Sequence, residues 1–106
     1  MTLTLQRADL IRAGHLINGR WCGGDTWHEV TDPADDSRVG RVPDGGAPEA
    51  RAAADAAHAA FAGWRLRPAK ERAAIIEAWH DRVMAHQEDL GRLISREQGK
   101  PLAEGR

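Results

Sequence analysis

The sequence predicts an α+β chain, with short hairpin strands over residues 1–46 and three amphipathic helices over residues 47–106. Three observations carry this. The composition changes near residue 46, from turn formers and β-branched residues to alanine and charged residues. Asn18-Gly19 stands between two short strand-like runs, and Asn-Gly is a strong hairpin signal because both positions accept positive φ. Between Ala50 and Ala62, nine of thirteen residues are alanine, the best helix former.

The elements follow in order. His15-Leu-Ile and Arg20-Trp-Cys22 flank the Asn-Gly turn, and Gly23-Gly24-Asp25 breaks the chain. Thr26 to Thr31 alternates well enough for a half-buried strand. Asp32-Pro33 ends it, and Asp35-Asp36-Ser37 makes a turn. Arg38 to Val42 is a further strand, closed by Pro43 and Asp44-Gly45-Gly46. Pro48 suits a first helical position and Glu49 the positive helix end. Ala53, Ala57, Ala60, Phe61 and Trp64 fall on one face of that helix. Pro68 marks the break before a second helix, whose apolar stripe is Ile75, Ile76, Trp79 and Val83. A third begins near His86-Gln87, with Leu90, Leu93 and Ile94 as its buried face. Gly99 caps it and Pro101 stops it. Pro101 to Glu104 reads as the first turn of a fourth helix, too short to nucleate or to bury anything.

The chain has 106 residues, enough for one small domain. Fifteen basic and sixteen acidic residues give a net charge of −1, which supplies no general pull toward nucleic acid or an anionic membrane. No apolar run approaches the ~18 residues of a membrane span. The charged start lacks a signal peptide's apolar run. One cysteine, Cys22, excludes an internal disulfide and a Cys-based zinc cage. The expected address is the cytoplasm.

Local chemistry is sparse, and no catalytic, cofactor-binding or metal-binding residue is assigned. Cys22 has no neighbouring activator in sequence and reads as an ordinary free thiol. His15, His28, His58, His80 and His86 contain no i,i+4 pair and no His-Glu-x-x-His. Gly40 and Gly45-Gly46 lack the G-x-G-x-x-G spacing. In Gly99-Lys100-Pro101, Pro stands where a phosphate loop needs a hydroxyl. Arg65, Arg67, Lys70 and Arg72 read as solvated charges of an interhelical turn. Asp35-Asp36 sits in a turn, and Glu88-Asp89 opens a helix where negative charge is favoured.

The order of segments resembles the opening of the aldehyde dehydrogenase superfamily. The residues are His15-Leu-Ile-Asn-Gly-Arg-Trp21, Val30-Thr-Asp-Pro-Ala34, Val39-Gly-Arg-Val-Pro43, and the alanine-rich helix ending Phe61-Ala-Gly-Trp64. Glu71-Arg72-Ala73, with Ile75-Ile76 and Trp79, is similar to the family's next helix. His86-Gln-Glu-Asp-Leu90 with Glu97-Gln-Gly-Lys-Pro-Leu-Ala-Glu104 resembles the succinate-semialdehyde branch. Asp32 stands where Asn is usual, and both suit the turn.

The resemblance implies an incomplete piece of the family's α/β cofactor-binding domain, within a chain three to four times as long. There a Cys thiolate attacks the aldehyde, hydride passes to NAD or NADP, and a Glu-activated water hydrolyses the thioester. The residues that match this chain include neither that Cys nor that Glu, and Cys22 is outside the nucleophile's motif. Some members bind a monovalent cation near the positions of Val30-Thr31; Glu97 is a candidate carboxylate there, and its first reading is a solvated carboxylate on a helix. The expectations are therefore no activity and no cofactor for this chain alone. The expected partners are the remainder of the fold or a homo-oligomer. The alternative is a truncated interaction module that docks in trans on a partner protein.

Overall fold

The computed structural model describes residues 3–106, and its architecture is α+β. Strands β1 (His15–Ile17) and β2 (Arg20–Cys22) form one antiparallel hairpin, and β3 (Trp27–Thr31) and β4 (Arg38–Pro43) form another. The helices are α1 (Ala47–Leu66), α2 (Ala69–Ala85), α3 (Gln87–Gln98) and α4 (Leu102–Gly105). Asn18 (φ 52°) and Gly19 (φ 73°) both take positive φ at the first turn, the geometry that matches strand twist. Leu16 pairs with Trp21 in that hairpin, and Val30 with Gly40 in the second, where the register slips between Val30 and Thr31.

Helix boundaries follow local chemistry. Gly46 is the N-cap of α1, and the Glu49 carboxylate accepts its N–H at 2.8 Å. Pro68 separates α1 from α2 because it has no N–H to donate and pushes its predecessor out of helical backbone. Gly99 ends α3 in left-handed backbone (φ 73°), its N–H donating to Ser95 O at 2.9 Å.

Helix α3 is the hub, touching α2, α4 and β3. Two buried carboxylates dock the rest of the chain on it. Asp32 is 6% exposed. Its Oδ1 accepts the Ala34 N–H at 2.8 Å, and its Oδ2 lies 3.2 Å from Arg96 Nη1 of α3. Arg96 Nη2 also donates to Ser37 Oγ at 2.9 Å, so one guanidinium fastens both ends of the β3–β4 turn. Asp89 is 4% exposed. Its two oxygens accept the consecutive N–H groups of Gln6 and Arg7 at 3.0 and 2.9 Å, which lays the N-terminal segment along α3.

Two expectations about α3 and α4 need correction. The buried residues of α3 are Asp89 and Gly91, whereas Leu90 and Leu93 are half-buried and Ile94 is exposed. The helix turns its polar and glycine positions toward neighbours because those neighbours are a backbone segment and another helix turn. The single turn of α4 does form and half-buries Leu102. Gly105 lets it approach: a Cβ built there would stand 2.6 Å from Gly91 O.

The second finding is what the fold leaves out. No Ala, Val, Leu, Ile, Met, Phe or Trp side chain is buried among the described residues. On the stripes of α1 and α2, Trp64 is half-buried and Phe61, Ile75, Ile76, Trp79 and Val83 are exposed. The radius of gyration is 16.7 Å, against about 13 Å for a compact domain of this length.

Two outcomes test the clamps. Asp32→Asn keeps the acceptor for the Ala34 N–H and loses the charge facing Arg96, whereas Asp32→Ala loses both and strands a buried guanidinium. Amide exchange at Asp36, whose N–H donates to Asp32 O, should report a loss of local stability of about 1 kcal/mol for the first and about 3 kcal/mol for the second. Equal effects would contradict the clamp. For Asp89, the Gln6 N–H bond and then the Arg7 one hold the carboxyl below its ordinary 3.8, against the opposing effect of desolvation. A lowered carboxyl stabilises the folded state fully above its unfolded value, and that stabilisation fades as pH falls through the folded value. Exchange protection of the Gln6 and Arg7 amides should therefore weaken as pH drops below 3.8, and Asp89→Asn should flatten that dependence.

Candidate functional site

The sequence singles out few reactive groups, and the structure does not gather them. Cys22 ends β2, exposed, with its thiol 3.5 Å from His15 O. His28 lies on β3, His58 on α1 and His80 on α2, all exposed. His80 Nδ1 is 3.2 Å from Asp81 Oδ1. Among the described residues no three His, Cys, Asp or Glu side chains come together as a metal site. Asp35 accepts both the hydroxyl and the N–H of Ser37, which pull its carboxyl down to about 2. Glu88 is held low first by its hydrogen bond from Arg106, with Arg92 adding to it. These carboxylates are occupied as anions and do not form an acid–base pair.

Glu97 and Val30 do line the same cleft, between the hairpins and α3. Arg12 and Arg41 share that lining and oppose a cation. The Arg12 guanidinium lies 5.4 Å from the Trp21 ring centroid, and that of Arg41 lies 4.2 Å from Trp27.

The helix N-termini do not fit a dinucleotide pyrophosphate. Such a site needs free N–H groups and no competing negative charge. The first turn of α1 carries Glu49, that of α2 Glu71, and that of α3 both Glu88 and Asp89. Glu49 already takes the Gly46 N–H. The Gly99-Lys100 segment is a helix cap, with Ser95 Oγ donating to Lys100 O at 2.5 Å. Among the described residues, α1, α2 and α3 thus each begin with a carboxylate in the first turn.

What the fold does present is an apolar face. On α1, Phe61 is 55% exposed and lines an open groove with Ala57, Ala60 and Trp64. On α2, Ile75, Ile76, Trp79 and Val83 recur at spacings of three and four residues, which places them on one side of the helix. Trp79 is 69% exposed and Leu66 78%. Arg65, Arg67 and Lys70 stand exposed around the turn between the two helices, and Arg72 is half-buried with an unpartnered Nε. The sequence reveals these stripes, but the exposure follows from the absence of anything packed over them. The sites that sequence reasoning missed are the clamps. Asp32 reads as a strand end and Asp89 as a helix-start charge, and neither pattern names its partner.

A family model described as the aldehyde dehydrogenase family matches residues 21–106. Succinate-semialdehyde dehydrogenase, NADP(+), of Escherichia coli (strain K12) is 46% identical over 106 residues, covering 98% of this chain and 22% of that protein. The 3-sulfolactaldehyde dehydrogenase of Pseudomonas putida is 42% identical, covering 96% of this chain and 21% of that protein. The crystal structure of succinate-semialdehyde dehydrogenase from Burkholderia pseudomallei superposes with a TM-score of 0.92 at 45% identity, covering 96% of this chain and 22% of that one. The chain thus spans about a fifth of the length of the relatives it matches.

The exposed face makes a stability prediction. Trp79→Ala should change the stability of the isolated chain by no more than about 0.5 kcal/mol, as at a surface position, and iodide should quench its fluorescence freely. A loss of about 3 kcal/mol or more, the cost of removing a core tryptophan, would contradict the exposure.

Proposed function

The chain belongs to the aldehyde dehydrogenase family, and on that premise we propose that it is part of an NAD(P)-dependent dehydrogenase that oxidises a semialdehyde, succinate semialdehyde first among the candidates, to the carboxylate. The observation that carries this is the 46% identity, over nearly the whole chain, to a protein named for that substrate and for NADP. The shared fold with a second protein of the same name supports it. The reading includes a cytoplasmic address, the default for a chain with one thiol and no disulfide.

In this reading the chain is an outer layer of the enzyme. It supplies no nucleophile, because Cys22 is an exposed thiol on a hairpin strand. The first turns of α1, α2 and α3 each carry a carboxylate, which disfavours a phosphate there. Its contribution is positional. The Asp32–Arg96 pair and the Asp89 carboxylate fix the β3–β4 hairpin and the N-terminal segment on α3, and α1 and α2 each carry exposed apolar side chains.

The test is a chimera in which residues 1–106 replace the matched segment of the Escherichia coli relative. It should oxidise succinate semialdehyde with NADP at a rate within tenfold of the parent. The isolated chain should show no turnover and no melting shift at millimolar NAD or NADP, since any ligand of the native state stabilises it. A folded but inactive chimera, or turnover by the isolated chain, would overturn the reading.

A further inference from the structure

We infer that Asn18-Gly19, the turn of the first hairpin, is a site of spontaneous modification. Loss of the Asn18 side-chain amide there yields aspartate and isoaspartate, and the isoaspartate form unlocks the hairpin. Water is the only co-reactant.

The chemistry is intramolecular. Asn18 is the single asparagine of the chain, and asparagine is among the thermolabile residues of proteins. The Gly19 backbone nitrogen attacks Asn18 Cγ and forms a five-membered imide. The bond from Cγ to the side-chain nitrogen breaks, and that nitrogen leaves as ammonia, carrying the former Gly19 amide proton. Water then opens the imide at one of its two carbonyls. One opening gives aspartate. The other gives isoaspartate, in which the main chain runs through the β-carbon. Glycine is the least hindered nucleophile for this step, because it carries no Cβ.

The structure favours this step over the similar ones. Asp44-Gly45, Gln98-Gly99 and Glu104-Gly105 also place an acid or amide before glycine. The Gly99 N–H donates to Ser95 O at 2.9 Å, and Gly105 is packed against Gly91. Around Asp44 the main chain is tied on both sides: its N–H donates to Thr26 O at 2.9 Å, and its carbonyl accepts the Thr26 hydroxyl at 3.1 Å. A Cβ on Gly45 would stand 2.6 Å from His15 Nε2, so the next residue is hemmed in as well. Asn18 and Gly19 are exposed and lie outside both strands. Among the described residues, nothing stands within 4 Å of a Cβ built on Gly19. The turn is held by a hairpin of three residue pairs in a sheet of two strands. Such a hairpin is marginal by itself in water, so the turn opens and frees Asn18 to close the ring.

The two products differ in what they do to the fold. Aspartate at position 18 keeps the turn, because Asp-Gly accepts the same pair of positive φ angles. Isoaspartate adds a methylene to the main chain of a two-residue loop, and loop length fixes hairpin register. The Leu16–Trp21 and His15–Cys22 pairings are lost with that register, and so is the seat of the Arg12 guanidinium on Trp21.

The experiment holds the 106-residue chain in mildly alkaline buffer, folded and in denaturant. Trypsin then releases residues 13–20 as one peptide, between Arg12 and Arg20. Mass spectrometry with electron-transfer fragmentation reads amide loss and separates aspartate from isoaspartate. The folded chain should convert at Asn18 within tenfold of the denatured rate, with isoaspartate among the products. Asp44 should isomerise at least tenfold more slowly folded than denatured. An intact Asn18 in the folded chain once the denatured chain has converted would overturn the inference, as would Asp44 reacting equally fast in both. In the purified isoaspartate form, the Leu16–Trp21 proton contacts should vanish from NMR spectra. The aspartate form should keep them, and so should Asn18→Gly, whose Gly-Gly step also suits the turn. Contacts retained by the isoaspartate form, or lost from the Asn18→Gly chain on standing, would overturn the unlocking.

Discussion

Every feature of this structure depends on one constraint: two long helices and two hairpins are brought together without an apolar interior. Burial of apolar surface is the dominant favourable contribution to folding, and among the described residues no large apolar side chain leaves water entirely. The tertiary contacts that fix geometry are polar. Asp32 and Asp89 are buried because each has its lone pairs filled, the first by an N–H and a guanidinium, the second by two N–H groups. Such groups are costly to leave unpaired and add little net stability when paired. They set where segments lie without supplying the energy that a core would.

That division assigns different tasks to the two ends of the molecule. Around α3, short elements are locked by directional bonds and by the close Gly91–Gly105 approach. Along α1 and α2, alanine-rich sequence maintains helix through backbone propensity, and the apolar stripes remain available. The polar joints lie around α3 and the exposed apolar side chains lie largely along the two long helices.

Most of the secondary structure was legible in the sequence. Asn18-Gly19, Pro68 and Gly99 act through backbone conformations that depend on a few neighbouring residues, so local reading finds them. The stripes of α1 and α2 were legible as periodicity. The packing was not, because periodicity says that a face wants burial and not whether anything covers it. The long-range joints were hidden for a related reason. Asp89 and Gln6 are 83 residues apart, and Asp89 in a first helical turn already has a sufficient local explanation. The α4 turn is not legible from its own four residues, because the α3 surface that receives it is a separate element. Glu97 shares a cleft with Val30, and the two arginines that line the same cleft are not legible from the sequence around Glu97.

Small-angle X-ray scattering of the isolated chain, extrapolated to zero concentration, tests the missing interior most directly. A radius of gyration no smaller than 16.7 Å is expected. A value near 13 Å, that of a compact domain of this length, would mean that the chain closes on a core of its own and would contradict the account.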